Sequence, residues 1–149
     1  MDPKKQEILN RLTGTWQLLS SEFRTSGGEV IYPLGEDAGG QCILTPDGYM
    51  SGQVMRRDRP SFAAGDQASG TPDEIKAALE GYISYYGPFD IDPAKQQLIT
   101  HVEGSLFPNW IGEDQVRFYE LSENRLTLKT PPIPLGDDEI TGYLIWERR

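Results

Sequence analysis

The sequence predicts an all-β chain: a closed, antiparallel, eight-stranded up-and-down barrel with a short helix at its N-terminus and one more short helix around residues 72–80. Three observations carry that expectation. From Thr15 onward, short runs rich in β-branched and aromatic residues alternate side chains with period two. Turn chemistry separates these runs at hairpin spacing, and helical signals occur at two places that bracket or interrupt the strands.

In chain order, Asp2 and Pro3 read as an N-cap and first helical residue, and Ile8, Leu9 and Leu12 recur at helical spacing until Gly14 ends the run. This helix is expected to plug or flank one end of the fold. Strands are expected at about 15–24, 40–45, 49–56, 86–91, 97–105, 115–121, 125–130 and 141–147, with Val30 and Tyr32 marking a short ninth. Thr45-Pro46-Asp47-Gly48 combines a proline-set φ with a glycine free to take positive φ, and Asp92-Pro93 and Glu123-Asn124 punctuate two more hairpins. Thr71-Pro72-Asp73-Glu74 is a capping box ahead of Ile75, Ala78 and Leu79, and that helix should end at Gly81. The preceding stretch, 57–70, reads as a long loop with an exposed Phe62, either a lid or a flexible connection. Pro131-Pro132-Ile133-Pro134 fixes an extended crossing between the last two strands.

Eight short antiparallel strands in an open sheet would leave unpaired N–H and C=O groups at its edges, and closure removes those edges. The rival is a two-layer sandwich; near-sequential hairpins after a leading helix favour a meander that closes. A length of 149 residues suits a single domain spanning 1–149.

A net charge of −9 and a pI near 4.6 repel phosphate backbones and anionic headgroups, so neither nucleic acid nor a membrane surface is an expected partner. No run approaches the roughly 20 apolar residues of a membrane span, and the N-terminal residues lack a secretion-signal core. The expected location is the cytoplasm. Cys42 is alone and cannot form an internal disulfide. With one histidine and one cysteine there is no ordinary zinc set, no glycine-rich phosphate cradle and no nucleophile elbow, so neither metal nor cofactor is expected. The carboxylate pairs Glu36-Asp37 and Asp137-Asp138 read as solvated loop charges.

Gly14-Thr15-Trp16 resembles the glycine-x-tryptophan opening of lipocalins and their calycin relatives. The resemblance implies a tryptophan that closes the barrel bottom under an arginine from the last strand, here Arg148 or Arg149; a cation on that indole would contribute about 0.5–2 kcal/mol. Pro33-Leu34-Gly35, the run from Leu44 through Asp47 to Ser51, Met55-Arg56 with Asp58-Arg59-Pro60, and the run from His101 through Glu103 to Trp110 are similar to the bacterial and fungal lipocalin-like domain family, over nearly the whole chain from Leu12 to Arg148. That family implies the fold; some lipocalin-fold relatives act as cyclases in natural-product pathways. The missing signal peptide and disulfide of secreted lipocalins argue against an extracellular carrier role.

The segment from Leu98 to Phe107 alternates Ile99, His101, Glu103 and Ser105 against Leu98, Thr100, Val102 and Leu106. Turned inward beside Arg117, His101 and Glu103 would form a catalytic set: His101 as general acid or base, Glu103 orienting it, Arg117 stabilising negative charge. The competing reading is a structural Glu103–Arg117 pair with His101 a satisfied core or surface residue. Tyr49, Ser51, Tyr85, Phe89, Trp110 and Tyr119 are the candidate ligand-lining residues, against the alternative that aromatics merely fill the core.

Three functions follow: a module binding a small, largely apolar, polyketide- or terpenoid-like molecule; a cofactor-free isomerase or cyclase acting on such a molecule; or a homodimeric interaction domain with its interior packed shut.

Overall fold

The structure, a computed structural model, describes residues 2–149. Helix α1 (Pro3–Leu12) starts as its caps dictate: the Asp2 carboxylate accepts from the Lys4 N–H at 3.1 Å with proline in the first turn. It buries Leu12 and presents Ile8 and Leu9 to the same core.

Eight strands then form the wall: β1 (Gly14–Thr25), β3 (Gly39–Leu44), β4 (Tyr49–Met55), β5 (Tyr82–Asp92), β6 (Gln97–His101), β8 (Asp114–Ser122), β9 (Arg125–Lys129) and β11 (Asp138–Arg148). All neighbours are antiparallel, and β11 pairs back onto β1 from Trp16↔Arg148 to Thr25↔Ile140, so the sheet closes. A register shift between Leu18 and Ser20 keeps Trp16, Leu18 and then Ser21 on the inner face. Short strands β2 (Val30–Ile31), β7 (Gly104–Ser105) and β10 (Ile133–Leu135) extend the wall at one end, where helix α2 (Pro72–Glu80) also lies. Neither helix is long and apolar enough to cross a membrane.

Because α1 leads into β1 and the chain meanders, α1 and the tight hairpins after Thr45, Asp92 and Ser122 close one end. The longer connections 26–38, 56–81, 102–113 and 130–137 all fall at the other. The closed end holds the densest core, with Trp16, Leu44, Leu98, Leu126 and Trp146 nearly or fully buried. The Trp16 indole N–H donates to the Leu12 carbonyl at 2.9 Å, and Arg148 lies 4.3 Å above its ring. Of the two candidate arginines, Arg148 is therefore the one that covers the indole; its Nη1 donates to the Thr13 carbonyl at 2.8 Å and its Nη2 to the Arg11 carbonyl. Gly14 sits at φ +133, and a Cβ there would stand 2.6 Å from Arg148 Nη1, so the Gly14-Thr15-Trp16 pattern is a demand of this corner.

Cys42 is buried against the same core, and burial pushes its thiol up to about 12. A thiol reagent such as Ellman's is expected to leave Cys42 untouched in the native protein and to titrate one thiol after denaturation; rapid native labelling would contradict this burial.

Several expectations need correction. The fourth strand starts at Tyr82, four residues before the expected Tyr86, because Tyr82–Tyr85 pairs with Met55–Gly52 of β4. The expected strand 97–105 breaks after His101: Val102 exchanges backbone hydrogen bonds with Glu113 and Gly112, and pairing resumes only at β7. Tyr32 lies outside β2. The proline run supplies β10, a hairpin onto β11 through Gly136, in place of a plain crossing. Loop 57–70 contains a 3-10 turn at Gln67–Ser69, and Phe62 is half-buried over Gly70. Glu74 ties this loop to α2, accepting from Ala63 N at 2.9 Å as well as closing the capping box with Thr71.

Candidate functional site

Burial fixes the phase of the β6 region. Leu98, Thr100 and Val102 are buried, so they face the interior, and His101 and Glu103 face away from it. On β8, Tyr119 is buried at 5% exposure and Arg117 shares its face. The structure therefore places Arg117 on the inner side of the wall and His101 and Glu103 on the outer side, and does not bring the three together. The physical reason is that Leu98 and Val102 are the more apolar alternation, and the outer carboxylates satisfy His101.

His101 lies between two of them, with Nδ1 2.7 Å from Asp114 Oδ1 and Nε2 3.0 Å from Asp90 Oδ2. Those hydrogen bonds, to Asp90 first and Asp114 second, hold the imidazolium form and raise its pKa above the ordinary 6.5. A raised folded-state value means stability that is fully present below the unfolded pKa and is lost as pH climbs through the folded one. Wild type is accordingly expected to exceed His101→Gln in thermal stability at pH values below 6.5 and to lose that margin as pH rises past the raised value. The margin should be small, about 0.2–1 kcal/mol per exposed pair; a margin that grew with pH would refute the assignment.

The candidate lining residues divide in the same way. Tyr85 and Phe89 are buried on the inner face of β5, and Tyr119 on that of β8. Phe89 and Tyr119 belong to the half of the barrel nearer the closed end, where Phe89 N bonds the Gly48 carbonyl and Tyr119 N the Gln96 carbonyl of two tight hairpins. Tyr49 and Ser51 face outward: Tyr49 is 50% exposed beside the hairpin at Thr45, and Ser51 accepts from Gln53 Nε2 at 3.1 Å on the outer wall. The period-two phase of β4 decides this, since Met50, Gly52 and Val54 turn inward. Of the tyrosines after α2, Tyr82 lies under Arg59 and Tyr86 is exposed over Gly104, both outside.

Tyr85 and Trp110 do meet. Trp110 belongs to a 3-10 turn, Pro108–Trp110, in the connection 102–113 at the open end. Its ring stands edge-on to Tyr85 at 5.7 Å and to Phe107 at 5.4 Å between centroids, so an aromatic column runs from the inner wall to the surface. Burial raises the Tyr85 phenol, and the positive charge of Arg117 opposes that rise.

The column ends in an apolar groove of about 280 Å³ formed by Leu79 and Glu80 of α2, Tyr82, Ile83 and Ser84 of β5, and the segment Leu106 to Pro108 with Trp110. Leu79 is 53% exposed, Phe107 48% and Leu106 41%, so large apolar side chains gather here in water. Leu79, Ile83, Leu106 and Phe107 are not among the ligand-lining residues expected from the sequence; the run Leu106-Phe107-Pro108, apolar residues in a connection between strands, is the signal that points to them. A second groove, of about 270 Å³, lies on the outer wall among Gln17, Gln41, Gln53, Arg57 and Arg149 and is amide- and guanidinium-lined.

Comparison with known proteins agrees with the architecture. The lipocalin-like domain family matches residues 13–149. The 4'-hydroxy-3'-methoxypropiophenone carrier protein ppsC of Aspergillus oryzae (strain ATCC 42149 / RIB 40) is 32% identical over 106 residues, covering 66% of this chain and 96% of that protein. The chain belongs to the lipocalin-like domain family.

Proposed function

We propose that this protein binds and carries a small, largely apolar aromatic molecule at the open end of its barrel, with Trp110 as the central contact. One observation carries the reading: the Phe107–Trp110–Tyr85 column joins an exposed apolar groove to the inner wall. Concave apolar surfaces with a few polar handles are the usual form of small-molecule sites, and edge-on aromatic rings present faces on which a substituted ring can stack. The carrier function in the name of the Aspergillus oryzae relative supports the same class of ligand, a methoxylated phenolic ketone. The isomerase or cyclase reading has no comparable support, because the acid–base set it requires is split between the two sides of the wall.

The test is a fluorescence titration with 4'-hydroxy-3'-methoxypropiophenone. Trp16 and Trp146 are buried at the closed end, so Trp110 is the tryptophan placed to report. Saturable quenching in wild type is expected, and Trp110→Ala should weaken binding about tenfold or more, measured by calorimetry. Absence of saturable binding to wild type would overturn the proposal.

A further inference from the structure

We propose that the inner wall holds an anchor for the polar end of the ligand: an acceptor oxygen of the ionised-phenol, enolate or carboxylate kind, received by the Nε–H of Arg117 and the hydroxyl of Thr100. This rests on the ligand-binding reading above and adds to it the chemistry that the ligand must present.

The Arg117 guanidinium has only neutral partners. Nη1 donates to the Val116 carbonyl at 2.8 Å and Nη2 to the Gln115 side-chain oxygen at 3.0 Å. Nε is sealed from solvent and has no acceptor among the described residues. Among the described residues no carboxylate comes within the 4.0 Å of an ion pair with it, in a chain with 23 acidic and 14 basic residues. Arg24 and Arg56 each hold a carboxylate, and Arg148 shares the neutral-acceptor pattern; what sets Arg117 apart is its buried Nε–H without an acceptor among the described residues. An arginine kept free of carboxylates on the inner face of an acidic protein leaves its positive field uncancelled there.

Thr100 supplies the second orphan. It is fully buried, and its Oγ1 has no hydrogen-bond partner among the described residues. The β6–β8 register sets Leu98 opposite Arg117 and Thr100 opposite Gln115, so both orphans face inward on adjacent strands, one step apart. Buried polar atoms are nearly always satisfied, and two unsatisfied ones on one inner patch point to an absent partner. The third orphan, Trp146 Nε1, lies on β11 beside Leu18 and Leu126, with β9 between it and Arg117 on β8, and belongs to a different place. Arg117 also acts electrostatically on Tyr85, the lower ring of the aromatic column, so the patch lies near the inner end of that column.

The test follows the Arg117 Nε–H resonance of ¹⁵N-labelled protein, assigned by its loss in Arg117→Lys, during titration with 4'-hydroxy-3'-methoxypropiophenone. A downfield shift that saturates with Trp110 quenching is expected. Arg117→Met should weaken binding about tenfold or more. Thr100→Val should weaken binding while raising the melting temperature of the ligand-free protein, since it removes an unsatisfied hydroxyl. If the probe quenches Trp110 while the Nε resonance stays still and Arg117→Met binds as tightly as wild type, the anchor is refuted and the binding site at the mouth stands. If the probe does not bind wild type, both fall. Should Arg117→Met fail to fold, the Nε–H shift in wild type decides.

Discussion

Trp16→Ala is expected to lower unfolding free energy by about 3–5 kcal/mol, the largest loss of any single change considered. Trp16 has no exposed surface and stands where α1, β1 and β11 converge. Removing the indole opens a cavity beneath Arg148 and frees the Leu12 carbonyl that the ring N–H occupies. It also strips Arg148 of the face that orients it toward the Thr13 and Arg11 carbonyls. For a chain of this length each kcal/mol moves the melting midpoint by about 2–4 °C, so a fall of about 10 °C is expected. Arg148→Ala should cost less, about 0.5–2 kcal/mol for the cation over the ring. Chemical denaturation of both variants checks this; a Trp16→Ala loss below about 1 kcal/mol would mean that the indole does not close the barrel.

Gly87→Ala is the second large effect, about 3 kcal/mol of destabilisation, at the upper end of ordinary overpacking. A Cβ at this position would lie 1.9 Å from the His101 carbonyl oxygen and 3.1 Å from Glu103 N. Neither neighbour is a flexible side chain that can swing away. The passing backbone is held by Glu103 N to the Tyr86 carbonyl at 2.9 Å and by the Val102 exchange with Gly112 and Glu113. Here β6 ends and the chain steps inward over β5, which places Val102 in the core and sends 103–113 across the open end. Displacing it should also move Trp110, so Gly87→Ala is expected to weaken probe binding along with stability. A variant melting within about 0.5 kcal/mol of wild type would show that this crossing is loose.

The side chains whose direction the sequence leaves open cluster around that crossing. The alternation from Leu98 to Ser105 has polar residues in both phases, so His101 and Glu103 look as eligible for the interior as Thr100 does. What settles the phase is non-local: Asp90 and Asp114, on β5 and β8, wait outside for His101. The same ambiguity hides the direction of Tyr49 and Ser51, because in β4 the inward set is Met50, Gly52 and Val54, one of them a glycine without side chain. Gly87 carries no positive φ and sits in no turn, so its necessity is invisible until the neighbouring backbone is in view.

Short-range rules write both helices with their caps, the Thr45 hairpin and the period-two strands into the chain, each encoded within a few residues of where it acts. Long-range packing sets the rest: which face of each strand is inside, which arginine keeps a buried N–H without an acceptor, and which apolar side chains gather at the open end. Those depend on closure of β11 onto β1 and on the inward step at Gly87, where residues far apart in the chain share one surface. A period of two states that faces alternate, and only the packed barrel states which of the two meets water.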